Sequence, residues 1–370
     1  MIEADVIVIG GGVCGLGAAY FLSQTRRVVV LEQESQPAYH SSGRSAALYI
    51  IGYESPEVSA LTAAGRSFFD DPPGEFDARP LLSPRGGLTI AEPGSEDQLG
   101  QFLARWQPHC PNLSAISSAE AGERVPILRP ERIAAAAFDP DWYSIDVHAL
   151  VMGYRRGVMR QGSSITCNAR VTTMSRTGDR WWVEAGETYS APILINAAGA
   201  WASNIGDLAG LHGVPLQPLR RTAVLLPLPK GGATWPSVHT LNEDLYFKPE
   251  GNGLMLSPED ETSSAPCDAA PDEVDVARAI DHFERLTNEP VVKLQSKWAG
   301  LRTFAPDRRP VIGPDPREPA FIWYAGLGGF GVQTSPALAR YVARCVTQSG
   351  GQDEEVDAAI AASRLIAAAE

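Results

Sequence analysis

A glycine-rich turn joins an apolar strand pattern to a helix pattern at the start of this chain. The strand pattern is Val6–Ile9, the turn is Gly10–Gly15, and a second strand pattern follows at Val28–Leu31. Between them, apolar residues recur with helical spacing from about residue 13 to residue 23. Both strand patterns are continuously apolar, which is typical of parallel strands that are buried on both faces. The sequence therefore predicts a βαβ unit in an α/β fold.

The spacing within the turn indicates a dinucleotide site. Gly10, Gly12 and Gly15 satisfy G-x-G-x-x-G. The first glycine permits the tight turn, the second lets the backbone approach a pyrophosphate, and the third allows close packing of helix on strand. Glu32 ends the second strand pattern, where its carboxylate can accept hydrogen bonds from ribose hydroxyls and repel a 2′-phosphate. NADP is therefore disfavoured, whereas NAD and FAD share this half-site.

Composition and residue spacing exclude several other classes of protein. The 370 residues include 31 Lys and Arg against 44 Asp and Glu, a net charge of −13, so nucleic acid is not expected as a partner. We expect no transmembrane segment, because no apolar stretch is long enough to span a bilayer. The six histidines show no metal-ligand spacing, so we predict no metal site. Five well-separated cysteines fit reduced thiols, and we expect a cytoplasmic protein, with peripheral binding at the inner face of the membrane left open.

Three further segments bring small residues to the predicted site. A polar loop, His40–Ala46, follows the second strand, and Asn196–Trp201 follows a third strand pattern at Ala191–Asn196. Gly326–Ser335 is a glycine-rich loop, and Thr334 or Ser335 is positioned to cap a helix predicted to begin at Pro336. A helix N-terminus can stabilise the negative charge that a flavin gains on reduction. An NAD enzyme would leave this C-terminal loop without a purpose.

The four segments together resemble the D-amino-acid oxidase and dehydrogenase superfamily of FAD proteins. The similar stretches are YHSSGRSAALY, LTAAGRSFFDDPPGEF, LINAAGAW, WAGLRTF and GGFGVQTSPALA, and they are most similar to bacterial D-amino-acid dehydrogenases of the D-arginine dehydrogenase type. The resemblance implies a Rossmann-like FAD-binding domain formed by residues 1–80, 145–215 and 300–370. It also implies an inserted mixed-sheet substrate domain formed by residues 81–144 and 216–299.

The resemblance implies FAD as the cofactor. We expect it to be bound without a covalent link, because the segment where sarcosine oxidases of this superfamily carry the attached cysteine contains none here. The predicted cofactor residues are Gly10, Gly12, Gly15, Glu32, Ser41, Ser42, Gly43, Arg44, Ser45, Ala46, Ala198, Gly199, Trp201, Arg302, Gly328, Gly329, Phe330, Gly331, Val332, Gln333 and Thr334.

Oxidation of an α-amino acid requires a cation for the carboxylate, because this group must be held while the Cα–H faces the flavin. Arg302 and Arg221 are the predicted clamp, since a guanidinium fork matches a carboxylate bidentately. By resemblance, Tyr53 lies on a mobile loop over the site and Tyr246 rises from a strand of the substrate domain. No histidine or carboxylate is clearly placed as a general base, so solvent is the expected proton acceptor.

Departures from the D-arginine dehydrogenase pattern affect the expected substrate. Leu48 stands where that type has a histidine, and Gly87 lies in the segment where it has a glutamate for a cationic side chain. The predicted pocket comprises these two residues with Gly329 and Glu54, and Glu54 would reverse the argument if it entered the pocket. We expect oxidative deamination of neutral or apolar D-amino acids to 2-oxo acids and ammonia.

Several alternatives share the same residues. The substrate could be a secondary amine such as an N-methyl amino acid or D-proline, or a 2-hydroxy acid, although the latter needs a stronger base. A non-catalytic flavoprotein or an electron-transfer subunit is a different class. The electron acceptor is open among a quinone, another carrier and oxygen.

Overall fold

The computed structural model describes residues 1–77, 79–347 and 354–366. Its helices within these ranges are α1 (Val13–Leu22), α2 (Pro56–Asp70), α3 (Glu96–Trp106), α4 (Ser118–Arg124), α5 (Val147–Arg160), α6 (Ala202–Leu208), α7 (Glu273–Leu286), α8 (Gly331–Thr347), α9 (Glu354–Ile360) and α10 (Ser363–Ile366). No helix in these ranges is both long enough and apolar enough to cross a bilayer.

The strands in the same ranges are β1 (Ile2–Glu3), β2 (Val6–Ile9), β3 (Val28–Leu31), β4 (Leu48–Tyr49), β5 (Leu82–Pro84), β6 (Gly87–Ala91), β7 (Ser114–Ile116), β8 (Ala135–Asp139), β9 (Tyr143–Ile145), β10 (Ser164–Thr166), β11 (Thr173–Thr177), β12 (Arg180–Ala185), β13 (Glu187–Ala191), β14 (Ile193–Asn196), β15 (Gln217–Pro227), β16 (Ser237–Thr240), β17 (Tyr246–Glu250), β18 (Gly253–Ser257), β19 (Thr262–Ser263), β20 (Ser296–Phe304), β21 (Val311–Asp315) and β22 (Glu318–Ala325).

A six-stranded sheet carries the glycine-rich turn. Its order is β10-β3-β2-β14-β22-β21, and it is parallel except where β21 pairs with β22. Helices α1, α5 and α8 cover one face, and the four-stranded sheet β1-β13-β12-β11 covers the other. The side chains of β2 and β3 are consequently buried, as their continuous apolar patterns predict. The Rossmann-like α/β fold is confirmed.

The elements predicted in this sheet agree closely with the structure. Strands β2 and β3 have the predicted bounds, and α1 ends at Leu22, one residue early. The strand predicted at Ala191–Asn196 is interrupted, because Ala191 ends β13 in the four-stranded sheet and β14 begins only at Ile193. Pro192 stands between the two strands, where its missing N–H group leaves no ladder bond unmade.

A second sheet of nine strands is mixed, as expected for the inserted region. Its order is β19-β15-β18-β17-β16-β6-β8-β7, with β20 paired to β15 and only β6 and β16 parallel to each other. Helices α4 and α7 pack on one face. Residues 80–144 contain many prolines, but these fall largely outside helices. The segment can therefore form α3 and α4. The domain boundaries given above stay a prediction.

The pairing of β15 with β20 positions two arginines. Nine residue pairs join these strands, from Gln217 opposite Phe304 to Leu225 opposite Ser296. Because side chains alternate along a strand, Arg221 lies on the same face as Leu219, which is opposite Arg302. Both guanidinium groups therefore project from one face of the sheet.

The C-terminal helix begins earlier than predicted. The sequence predicts a start at Pro336, but α8 begins at Gly331 and contains Pro336. Phe330 is fully buried in an apolar cluster, and its carbonyl accepts hydrogen bonds from the Thr334 N–H (3.1 Å) and hydroxyl (2.8 Å). The buried ring thus fixes the first turn, and Pro336 removes only one later helical hydrogen bond.

Replacing Gly15 with alanine should destabilise the protein and weaken dinucleotide binding. A Cβ atom at this position would lie 1.9 Å from the Gly10 carbonyl oxygen, which is too close for any side chain. We expect a lower thermal unfolding midpoint and loss of bound cofactor on gel filtration.

Gly100→Ala is the matched control, because Gly100 is also helical but a Cβ there meets no atom within 4 Å. Removing this glycine should stabilise the helix by about 0.5–1 kcal/mol. Equal unfolding midpoints for the two variants would contradict the close packing of α1 on the turn.

Candidate active site

One cavity of about 600 Å³ lies between the two large sheets. This volume is within the range of small-molecule sites. Its walls include the glycine-rich turn after β2, the end of β3, the loop after β14, the N-terminus of α8 and the arginine-bearing face of the nine-stranded sheet. The cavity therefore brings together all four segments that the sequence singled out.

Glu32 is held rigidly at the dinucleotide end of the cavity. Its Oε2 accepts a hydrogen bond from Gly11 N (2.7 Å), and its Oε1 accepts one from Glu34 N (2.9 Å). Burial raises the pKa of Glu32, although the Glu34 and Gly11 N–H groups oppose this effect. Each carboxylate oxygen retains a lone pair for a ribose hydroxyl.

The loop after β3 is fastened to both sides of the cavity. Ser42 Oγ accepts a hydrogen bond from Val13 N at the start of α1 (3.0 Å), and Ser41 Oγ donates to the Leu301 carbonyl (2.6 Å). Arg44 is among the predicted cofactor residues, where a free guanidinium would add positive charge for a pyrophosphate. Its guanidinium instead pairs with Asp268 (2.5 Å) and with two backbone carbonyls, so its charge is largely neutralised.

Most of the predicted cofactor residues line the cavity, but four do not. Gly15 and Gly43 pack against backbone carbonyls, and Phe330 and Thr334 are fully buried in the core. Those that line it are Gly10, Gly12, Glu32, Ser41, Ser42, Arg44, Ser45, Ala46, Ala198, Gly199, Trp201, Arg302, Gly328, Gly329, Gly331, Val332 and Gln333.

Two buried polar atoms in the cavity wall fit a flavin. Thr303 Oγ1 and Gln333 Nε2 have no hydrogen-bond partner among the described residues, although both side chains are at most 6% exposed. Gln333 is oriented by its Oε1, which accepts a hydrogen bond from Ile50 N (2.9 Å). Buried polar groups are almost always satisfied, so this wall is built for a polar ligand. The heteroatoms of an isoalloxazine ring meet that requirement.

Arg302 and Tyr53 meet at the other end of the cavity. Arg302 Nη1 lies 3.4 Å from Tyr53 Oη, and within the described ranges no carboxylate is paired with this guanidinium. Burial would lower the pKa of Arg302, but the surrounding phenols and acids more than offset it. A Cβ atom at Gly329 would lie 2.8 Å from Arg302 Nη1 and 3.0 Å from Tyr53 Oη, so only glycine allows this approach.

Arg221 lines the cavity, but its guanidinium nitrogens are already paired within the protein. A residue that binds a substrate carboxylate needs these nitrogens free. Its Nη1 is 3.3 Å from Glu259, its Nη2 is 3.1 Å from Glu261, and its Nε donates to the Asp260 carbonyl (2.9 Å). The structure therefore favours Arg302 over Arg221 as the residue that holds a carboxylate.

His239 is a cavity residue that the sequence analysis missed. It lies opposite Tyr246 across the β16–β17 pair, with ring centroids 5.1 Å apart and planes 11° apart. Burial lowers the pKa of His239 to about 3, with Arg302 and Arg221 adding to the effect, so its ring is neutral. No strand was predicted at residues 237–240, so the register that pairs His239 with Tyr246 could not be recognised.

Two of the four predicted pocket residues line the cavity, and two do not. Leu48 and Gly329 line the cavity. Glu54 does not line it, because its carboxylate forms an ion pair with Arg308. Gly87 lies behind the wall, where a Cβ atom would overlap the Trp142 ring at 2.1 Å.

Glu259 is a second cavity residue that no sequence motif indicates. It lies in the acidic loop after β18, and its side chain is 13% exposed and lines the cavity. Burial raises its pKa to about 7, while Arg221 and Arg302 oppose the shift. The part of the cavity around Arg302 and Arg221 thus contains a carboxylate as well as their two guanidinium groups.

Comparison with known proteins gives matches across the chain. The family model described as DAO, FAD dependent oxidoreductase, matches residues 5–345. FAD-dependent oxidoreductase domain-containing protein 1 of Bos taurus is 24% identical over 94% of this chain and 82% of its own. Mitochondrial dimethylglycine dehydrogenase of Mus musculus is 24% identical over 92% of this chain, which spans 42% of that protein. The structure of glycine oxidase from Geobacillus kaustophilus has a TM-score of 0.83 at 20% identity, covering 95% of this chain and 96% of that one.

Burial of neutral His239 should make stability depend on pH. In the unfolded chain a histidine takes up a proton below about pH 6.5, whereas His239 in the folded protein resists protonation down to about pH 3. This contribution to stability is therefore complete above pH 6.5 and is lost as the pH falls toward 3. We expect the free energy of unfolding of the wild type to fall by up to about 1.4 kcal/mol per pH unit more steeply than that of His239→Asn.

Denaturant unfolding at intervals between pH 4 and 7.5 measures the two slopes. His148→Asn, which removes an exposed histidine, is the control and should retain the wild-type slope. Parallel curves for wild type and His239→Asn would show that His239 is not held neutral by burial.

Proposed function

This chain belongs to the FAD-dependent oxidoreductase family and its cofactor is FAD, and we propose that it oxidises D-amino acids with neutral or apolar side chains. The products would be the 2-oxo acid and ammonia. We also propose that the chain is close to enzymes of the D-arginine dehydrogenase type, on the basis of the shared stretches, and that it is located in the cytoplasm.

The observation that carries the proposal is the Arg302 guanidinium beside the Tyr53 hydroxyl. It lies in the same cavity as the dinucleotide turn, and no carboxylate among the described residues pairs with it. A substrate carboxylate would satisfy the fork bidentately. Burial raises the pKa of Tyr53, so its phenol stays protonated and can donate a hydrogen bond to the same carboxylate.

Tyr246 supports the opposite side of the substrate. Its stacking on His239 fixes the plane of its ring, so its hydroxyl is positioned rather than mobile. Bound FAD would supply the oxidant, because N5 of an isoalloxazine ring can accept the hydride that is lost from Cα. The substrate amine must be neutral before that transfer, and water would take the proton. The imine that leaves would hydrolyse in solvent.

The lining around this end of the cavity favours uncharged side chains. Leu48, Ala223 and Met255 supply apolar surface. A D-arginine side chain would need an unpaired acid, but Glu54 is bound to Arg308 and Glu259 to Arg221. Leaving one member of a buried charge pair unpaired costs about 2–5 kcal/mol, which disfavours D-arginine.

N-substituted amino acids are the second candidate. The similarity to dimethylglycine dehydrogenase favours them, and Arg302 and the two tyrosines would serve such substrates equally well. A 2-hydroxy acid is less favoured, because its hydroxyl needs a stronger base than a histidine with a pKa near 3. A quinone, another carrier or oxygen could reoxidise the flavin.

Anaerobic bleaching of the flavin absorption band tests the proposed reaction. We expect D-leucine, D-methionine or D-phenylalanine to bleach it, with kcat/KM values above that of D-arginine, and the L-enantiomers to leave it unchanged. Bleaching by sarcosine or D-proline alone would select the second candidate instead. A flavin that responds to none of these compounds would contradict both.

Arg302→Met should lower kcat/KM by about 30-fold to several thousand-fold, because it removes a charged partner worth about 2–5 kcal/mol. Steady-state kinetics with the best substrate measures the loss. Arg285→Met is the control, since Arg285 is an exposed helical residue paired with Asp281 and should retain wild-type activity. Equal activity in the two variants would contradict the clamp.

The flavin should be released by acid precipitation. Cys14 is the cysteine that lines the cavity within the described ranges, and burial raises its pKa to about 12, so its thiolate is not available to form a link. We expect the yellow colour in the supernatant, measured at the flavin absorption maximum. A yellow pellet would contradict non-covalent binding.

A further inference from the structure

Glu259 occupies a strained position at the cavity. Its φ angle is +54°, in the left-handed region that costs a residue with a side chain free energy unless its surroundings compensate. Glu54 (φ +62°) and Arg308 (φ +58°) share this conformation and belong to the same chain of ion pairs, in which Arg308 joins Glu54 to Glu261. Strain of this kind concentrates at functional sites. The position of Glu259 therefore needs an explanation beyond folding.

The charged groups around Glu259 differ in whether they have a partner of opposite charge. Glu261 is already bound by both Nη atoms of Arg308, at 2.9 and 3.0 Å. Arg221 faces the cavity and its charge is offset there by Glu259 at 3.3 Å. Arg302 keeps its full positive charge, since it has no carboxylate partner in the part of the chain that the structure describes. The cavity wall formed by Arg302, Arg221 and Glu259 thus offers one net cation, although it carries two guanidinium groups.

We propose that Glu259 restricts the substrate to monocarboxylates, by neutralising Arg221 and by repelling a second carboxylate. This inference rests on the proposed function, in which Arg302 binds the one carboxylate of the substrate. Amino dicarboxylates such as D-glutamate are excluded, because their second carboxylate would meet a neutral ion pair whose acid faces the same space. Isosteric D-glutamine, which lacks that charge, is accepted.

Binding of non-reactive acids separates this role from catalysis. Butyrate and succinate have the same chain length and differ by one carboxylate, and each can be titrated against the FAD-loaded protein while the flavin spectrum is recorded. Measurements at pH 9 lie above the pKa of Glu259, so its carboxylate is ionised. We expect the wild type to bind butyrate at least tenfold more tightly than succinate.

Glu259→Gln should reduce this preference to about threefold or less, because Arg221 then keeps only Glu261, a carboxylate that it shares with Arg308. Butyrate affinity should rise less than succinate affinity, because butyrate brings a single charge, which Arg302 binds, and no second carboxylate for Arg221. Glu243→Gln is the matched control, because Glu243 is exposed, lies outside the cavity and adds a like charge near Glu259. It removes the same charge and should keep the tenfold preference.

The outcomes distinguish the two levels of the proposal. A wild type that binds succinate as tightly as butyrate, or a Glu259→Gln variant that keeps the tenfold preference, would overturn the role of Glu259 alone. A flavin spectrum that no carboxylate perturbs would overturn the Arg302 clamp as well. Turnover of D-glutamine but not D-glutamate by the wild type, with D-glutamate gained by Glu259→Gln, would support both.

Discussion

The pairing of β20 with β15 is the interaction on which both ends of the site depend. Its nine residue pairs fix Arg302 and Arg221 on one face of the sheet. Backbone carbonyls of β20 accept hydrogen bonds from the Ser41 hydroxyl, the Arg44 guanidinium and the Gly328 N–H. One strand therefore holds Arg302, the loop after β3 and the loop before α8 in fixed relative positions. Its displacement would misplace cofactor and substrate groups together.

The cost of burying a charge explains why the different partners of Arg221 and Arg302 matter. Removing an ion from water is costly unless a partner compensates, so each buried guanidinium needs an anion. Arg221 receives its anions from Glu259 and Glu261 within the protein. Arg302 receives only a phenol oxygen among the described residues, and a bound carboxylate would complete its shell. A site prepared in this way gains affinity for an anion because the cost of burial has already been met during folding.

The ion pairs also connect the substrate end to the segment that carries Tyr53. Glu54 follows Tyr53 in the sequence, and Arg308 joins it to Glu261, which in turn binds Arg221. Glu54 was predicted as a pocket residue, but its ion pair with the distant Arg308 holds its carboxylate outside the cavity. His239 and Glu259 were missed for the same reason. Each is brought to the cavity by a strand or loop whose own sequence carries no motif. The pairing of β16 with β17 positions His239, and the bend after β18 positions Glu259.

The βαβ unit, the glycines of its turn and the placement of Glu32 can all be predicted from the sequence, because they follow from residues that are close along the chain. Continuous apolar runs dictate buried parallel strands, and a carboxylate at a strand end stays at that end whatever the rest of the fold does. Three features needed the folded chain: α8 begins at Gly331, Arg44 and Arg221 pair with carboxylates, and Arg302 pairs with no carboxylate among the described residues. The carboxylate partners of Arg44 and Arg221 lie more than thirty residues away in the sequence, and a charge has no fixed role until folding brings its counter-charge within reach.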